Sequence, residues 1–183
     1  SNNEIITILR DTLAVLGIAL EDEKTLYETQ LTDDSRLSAV LPPSSLTGAN
    51  LVIRKWMVNE IITWDKLLHY RSVTPEMRDL IQSAVDAEIN ILVAGGTGSG
   101  KTTLSNRIVD MIAPEKRVVA VERSHEFRFM HQRVIYLESG VNSNVSMKEL
   151  LDAGSKLRPD LLVVGELHDN FIIPTLQIFA NGY

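Results

Sequence analysis

The 183-residue chain has no cysteine, so disulfides, iron–sulfur clusters and Cys-ligated zinc are excluded. Aromatic residues are scarce at 5 %. No apolar run approaches the ~20 residues that cross a bilayer as a helix, and no secretory signal opens the chain. A basic excess is missing too: the net charge of −6 argues against a general nucleic-acid coat and leaves room only for a local basic patch. There is no internal repeat and no low-complexity tract. What is present is globular in proportion, 44 % hydrophobic and 23 % charged. A chain of this length removes roughly 70 % of its unfolded surface from water without covalent staples, as one ordinary domain or two small ones. The expectation is a soluble, cytoplasmic protein. Its start, Ser1-Asn2-Asn3 without Met, reads as an excised piece.

Two kinds of patterning follow one another along the chain. Asn3 to Leu16 has helical spacing of apolar residues and ends at Gly17. Short β-type runs come next at Leu20–Tyr27, Leu37–Leu41 and Leu51–Trp56, separated by Asp33-Asp34-Ser35, Pro42-Pro43-Ser44-Ser45 and Thr47-Gly48. Residues 1–58 therefore read as a small α+β domain, and 59–73 as a connector with a short helix N-capped by Thr63. From residue 74 to 183 the pattern changes. Thr74-Pro75 starts a helix with apolar Met77, Leu80, Ile81, Ala84 and Val85. Apolar strands at Ile89–Ala94, Arg117–Val121 and Leu161–Val164 then alternate with amphipathic helices, with a further strand at Arg133–Leu137. Ser146-Met147-Lys148-Glu149 is a capping box. Such alternation predicts an α/β domain, a parallel sheet with helices on both faces.

Between the first of these strands and the next helix stands Gly95-Gly96-Thr97-Gly98-Ser99-Gly100-Lys101-Thr102, followed by Thr103. It satisfies G-x-x-x-x-G-K-[ST] at every specified position, in the strand-to-helix context that the motif requires. Glycines let the backbone fold into a concave nest of N–H groups around an anion, and the helix N-terminus adds its positive dipole end. Lys101 reaches β- and γ-phosphates, and the Thr102 hydroxyl can ligate Mg²⁺. The dinucleotide fingerprint G-x-G-x-x-G fails, because its last glycine would fall on Lys101.

Phosphate binding alone does not specify hydrolysis. Acids at the ends of neighbouring strands bear on that, since strand C-termini converge on the ligand edge of a parallel sheet. Glu122 ends Val119-Ala120-Val121, and Glu166 follows Leu161-Leu162-Val163-Val164-Gly165. Either acid could instead serve as a helix cap or a surface residue.

These residues resemble the secretion and type IV pilus assembly ATPases, closest to the CpaF-type branch of Flp/Tad pili. The resemblance runs from about Asp33 onward through Ser35-Arg36-Leu37, Leu41-Pro42-Pro43, Val52-Ile53-Arg54-Lys55, the glycine loop, Val121-Glu122, and Arg158-Pro159-Asp160 to Gly165-Glu166. It implies a PAS-like N-terminal domain joined to a RecA-like P-loop ATPase domain, with ATP and Mg²⁺ bound between them. Lys101 and Thr102 would form the Walker A pair, and Glu166 would be the Walker B glutamate, meeting Mg²⁺ directly or through water. Glu122 would sit in an acidic box that handles water or metal, and Arg36 and Arg54 would reach the γ-phosphate. The resemblance further implies a hexameric homo-oligomer at the cytoplasmic face of the inner membrane. Its partner would be a membrane platform protein of a pilus or secretion machine, with no direct nucleic-acid contact.

The chain departs from the family pattern at several positions. Arg123 stands where an aspartate is usual, His168 where an arginine often follows, and Tyr183 where a histidine-containing box begins. The stretch from Leu137 to Val145 is short, and the family's C-terminal part appears truncated. A poorly hydrolysing nucleotide-binding scaffold, a P-loop kinase and a DNA-translocating relative are the competing readings. His125 and His131, with Glu126 between them, lack the spacing of a metal site. Trp56 and Trp64 read as packing residues.

Overall fold

The computed structural model describes residues 1–33, 35–55, 61–140, 144–167, 171–180 and 182. Trp56, His168 and Tyr183 lie outside the described residues. The chain divides into two compact units, Ser1–Ile61 and Ile62–Tyr183.

In the first unit, helix α1 (Asn2–Val15) is followed by β1 (Leu26–Gln30), β2 (Arg36–Val40) and β3 (Asn50–Arg54). Gly17, at φ 71°, turns the chain out of α1 in a conformation that favours glycine. The strands form an antiparallel sheet in the order β1-β2-β3. Period-two alternation sends Tyr27, Leu37 and Ala39 into one core, where they join Leu9 and Leu13 of α1. Burying a leucine in this way contributes about 1.5–3 kcal/mol. The β pattern from Leu20 is only partly realised, because β1 begins at Leu26. Tyr27 Oη donates to the Glu21 carbonyl and accepts from the Glu21 N–H, pinning the acidic stretch before β1 as a turn.

The second unit opens with α2 (Trp64–His69) and α3 (Pro75–Asp86), capped by the side chains of Thr63 and Thr74, which accept from the N–H groups of Lys66 and Met77. After the glycine loop come α4 (Lys101–Val109), β4 (Val118–Glu122), β5 (Val134–Glu138), α5 (Met147–Lys156), β6 (Leu161–Val164) and α6 (Ile172–Ala180). The three strands are parallel in the order β5-β4-β6. Every residue of the central strand β4 is buried, as its apolar run Val118–Val121 requires, and Glu122 at its end is buried with them. Helix α5 starts at the Ser146–Glu149 capping box and lays Leu151 and Met147 on β4. Its Gly154 sits so close to Val119, Val121 and Leu137 that an added Cβ would meet them at 3.2–3.4 Å. Pro174 falls in the first turn of α6, where its missing N–H costs little.

Two expectations are modified. Ile89–Ala94 is not a strand, although its composition is that of one. A strand exists through ladder bonds to a neighbour, and among the described residues nothing pairs with this segment. Helix α3 forms where expected but buries none of its residues, so its apolar face with Met77 and Leu80 stays exposed.

Candidate functional site

The glycine loop owes its path to three glycines. Gly98 and Gly100 adopt φ 74° and 89°, the left-handed region that other residues enter at a cost. A Cβ on Gly95 would lie 2.5 Å from Ser99 Oγ, so any other residue there would force the Ser99 side chain to move. The Ser99 N–H donates to the Gly96 carbonyl at 3.2 Å, and Lys101 Nζ donates to the same oxygen at 2.8 Å.

Gly100 is the N-cap of α4, with no side-chain cap and no acid in the first turn. Helices α2, α3 and α5 differ: each has a capping hydroxyl and an acidic residue in its first turn. The first N–H groups of α4 therefore have no side-chain cap and no acidic neighbour in the first turn, the arrangement in which a helix N-terminus can accept an anion.

Gly95, Lys101, Thr102, Gly165 and Glu166 line one cleft of about 950 Å³, whose lining also includes Ile89–Ala94 and β6. Of the expected Walker A residues, Gly95, Lys101 and Thr102 thus share this cleft with Glu166, and residues 96–100 and Thr103 are not among those that line it. Glu122 stands behind Gly165: a Cβ on that glycine would lie 3.2 Å from Glu122 Cγ. A side chain at 165 would crowd the Glu122 side chain, which would have to shift by a few tenths of an ångström.

Glu122 is only 3 % exposed. Its Oε1 accepts from the backbone N–H groups of Glu126 and Phe127, both at 2.9 Å. Its Oε2 lies 3.2 Å from His125 Nδ1. Burial pushes the carboxyl above its ordinary range, while the two amides and His125 pull the other way. Arg123 Nε approaches Glu166 Oε1 at 3.6 Å, so the residue that departs from the family pattern places a positive charge on the expected Walker B acid.

The loop after β4 is laced to α4, the helix that carries the phosphate loop. Arg128 N–H donates to Asn106 Oδ1 at 2.9 Å, and Met130 N–H to Asp110 Oδ1 at 2.6 Å. Asp110 is in turn ion-paired with buried Arg107 at 2.8 Å. Sequence reasoning missed Asn106, Arg107 and Asp110, because nothing in an amphipathic helix pattern marks which polar residue meets a distant loop. Trp64 packs as expected, its indole N–H donating to the Arg107 carbonyl at 3.2 Å. His131 turns away from His125 to the Ala113 carbonyl, at 3.1 Å. Among the described residues no three His, Asp or Glu side chains form a metal-holding group.

Arg36 and Arg54 lie in the first unit as direct cross-strand partners on β2 and β3. None of the helices among the described residues is long and apolar enough to cross a membrane.

Comparison with known proteins places these features in context. The conjugal transfer protein TrbB of Rhizobium radiobacter is 32 % identical over 167 residues, which cover 89 % of this chain and 50 % of TrbB. The chain spans about half the length of the curated relatives it matches. The VirB11 ATPase of the Brucella suis type IV secretion system, solved with sulphate, shares the fold at a TM-score of 0.52 and 22 % identity. That match covers 98 % of this chain and 60 % of VirB11. The pilus retraction motor PilT, solved with ADP, gives a TM-score of 0.58 at 22 % identity, over 82 % of this chain and 42 % of PilT. The fold of the chain is thus the RecA-like α/β fold of these ATPases. The model of the type II/IV secretion system protein family matches residues 4–181, and the chain belongs to that family.

Proposed function

We propose that this chain is the nucleotide-handling part of a motor that hydrolyses ATP with Mg²⁺ and uses the turnover to drive motion between its two units. The observation that carries the reading is the uncapped, acid-free N-terminus of α4, opening from a glycine nest onto the same cleft as Glu166. Lys101 would neutralise β- and γ-phosphate oxygens, and the first-turn N–H groups of α4 would fix them in direction. The oxygen donors of Thr102 and Glu166 suit Mg²⁺, which is held by a few hard ligands together with substrate phosphates rather than by a protein cage. When bound, the ion supplies charge neutralisation across the phosphates. Glu122, aided by its loop, would handle the attacking water. Arg36 and Arg54 would meet the charge that builds on the γ-phosphoryl. Loss of that phosphate would release the contacts it orders, a common origin of domain motion.

The work performed would be pilus assembly, protein secretion or conjugative transfer. The family and relatives named for conjugal transfer, type IV secretion and pilus retraction support this reading. The same reading takes the first unit as PAS-like, the assembly as a hexamer, and the partner as a membrane platform protein at the cytoplasmic face.

A second reading, a nucleotide-binding scaffold that hydrolyses poorly, is favoured by one contact, Arg123 on Glu166. Phosphate release with Mg-ATP across protein concentrations, with Lys101→Ala as the blank, separates the two. Turnover per chain that rises with concentration and vanishes in the variant supports the motor. Binding of a fluorescent nucleotide without turnover supports the scaffold.

A further inference from the structure

The Glu122 carboxyl is held differently at its two oxygens. Oε1 is saturated by two backbone N–H groups, whereas Oε2 meets a side chain, His125 Nδ1, at 3.2 Å. The imidazole is itself fixed from several directions. Its ring stands edge-on to Tyr136 of β5, with centroids 4.6 Å apart. Its backbone N–H donates to Glu138 Oε1 at 3.2 Å, and its carbonyl accepts from Arg128 Nη1 at 3.2 Å. Gly165 also packs against the Glu122 side chain, and its neighbour Glu166 meets Arg123 Nε at 3.6 Å. A side chain that merely filled this corner would have no need to present a ring nitrogen to the carboxylate. The side chain of Glu122 is 4 % exposed and that of His125 is 32 % exposed, so the imidazole is the member of the pair that solvent reaches.

We propose that His125 is a positioning residue for Glu122, holding the one carboxylate oxygen that no backbone amide holds, so that the two side chains act as a single unit. The proposal rests on the reading of Glu122 as the acid that handles the attacking water. It differs from a structural role in one respect: the effect of His125 on turnover must pass through the Glu122 carboxylate.

A double-mutant cycle with a conservative rescue tests this, with melting temperatures confirming that each variant folds. His125→Ala is expected to lower kcat about ten- to hundred-fold, the range for losing a hydrogen bond to a charged group, with KM for ATP unchanged. His125→Asn, whose amide can occupy the place of Nδ1, should recover most of that loss. In a Glu122→Gln background, His125→Ala should lower kcat no further. An equal loss in both backgrounds, or no recovery with Asn, overturns the proposal. Should the wild-type chain fail to exceed the Lys101→Ala blank, the hydrolytic reading falls, and nitrogen NMR of the imidazole decides the pairing separately. A shift of the His125 Nδ1 resonance on Glu122→Gln upholds it, and an unmoved resonance overturns it.

Discussion

Arg36 and Arg54 face each other directly across β2 and β3, so both side chains leave the same face of the first unit's sheet, side by side. Like charges in that relation are destabilising, on the scale of ~0.2–1 kcal/mol for a cross-strand pair. Neither arginine belongs to the core of that unit, which is made by the alternate residues Leu37 and Ala39 and by α1.

Replacing Arg54 with threonine, a good strand residue, is therefore expected to leave the melting temperature equal or slightly higher. Phosphate release should fall toward the ~10³-fold loss that follows removal of an arginine from a phosphoryl-transfer site. Parallel thermal melts and phosphate-release assays check both halves. A variant with unchanged turnover would remove Arg54 from the proposed site.

The Arg107–Asp110 pair ties α4 to the loop after β4 inside the second unit. Arg107 is 3 % exposed, and burial pushes the Asp110 carboxyl up even with the guanidinium beside it. Breaking a buried pair from one side leaves an uncompensated charge, so Arg107→Ala should cost about 3–5 kcal/mol in urea unfolding. Arg107→Met combined with Asp110→Asn should recover part of this. The asparagine Oδ1 can still accept the Met130 N–H, and no lone charge remains.

Glu122 predicts a pH dependence of stability. Its carboxyl is raised in the folded protein, first of all by desolvation. The native state thus binds this proton more tightly than the unfolded chain, whose glutamates titrate at about 4.3. The sign follows: as pH rises from the unfolded value through the folded one, ionised Glu122 costs stability, and above that window the cost is constant. Glu122→Gln should accordingly be more stable than wild type at neutral pH and equal to it at low pH. Urea midpoints measured across pH would show the difference, and a neutral-pH midpoint at or below wild type would contradict it.

Much of the local structure was legible because its causes are local. Thr63 and Thr74 cap helices where a hydroxyl precedes an apolar period, and Ser146 with Glu149 makes the box that its spacing prescribes. Leu161–Val164 is a strand over the span its apolar run covers. The glycine loop was readable for the same reason, since a positive φ at Gly98 and Gly100 is a property of single residues. Ile89–Ala94 was misread because a strand also needs a partner, and an apolar run does not carry that information.

By itself, then, the sequence determined most of the elements, though not the strand expected at Ile89–Ala94, together with the phosphate-loop motif and the acids at and just after the ends of β4 and β6. Each of these depends on residue type and short spacing. Only the tertiary structure decided that Glu122 is buried behind Gly165, that His125 rather than a second acid meets its free oxygen, and that Arg123 stands against Glu166. These relations are set by which strand lies beside which and by how the loop after β4 folds back. The Gly165–Glu122 and Arg123–Glu166 distances are fixed by packing between segments far apart in the chain, and the Glu122–His125 contact by a loop path that no regular local pattern encodes.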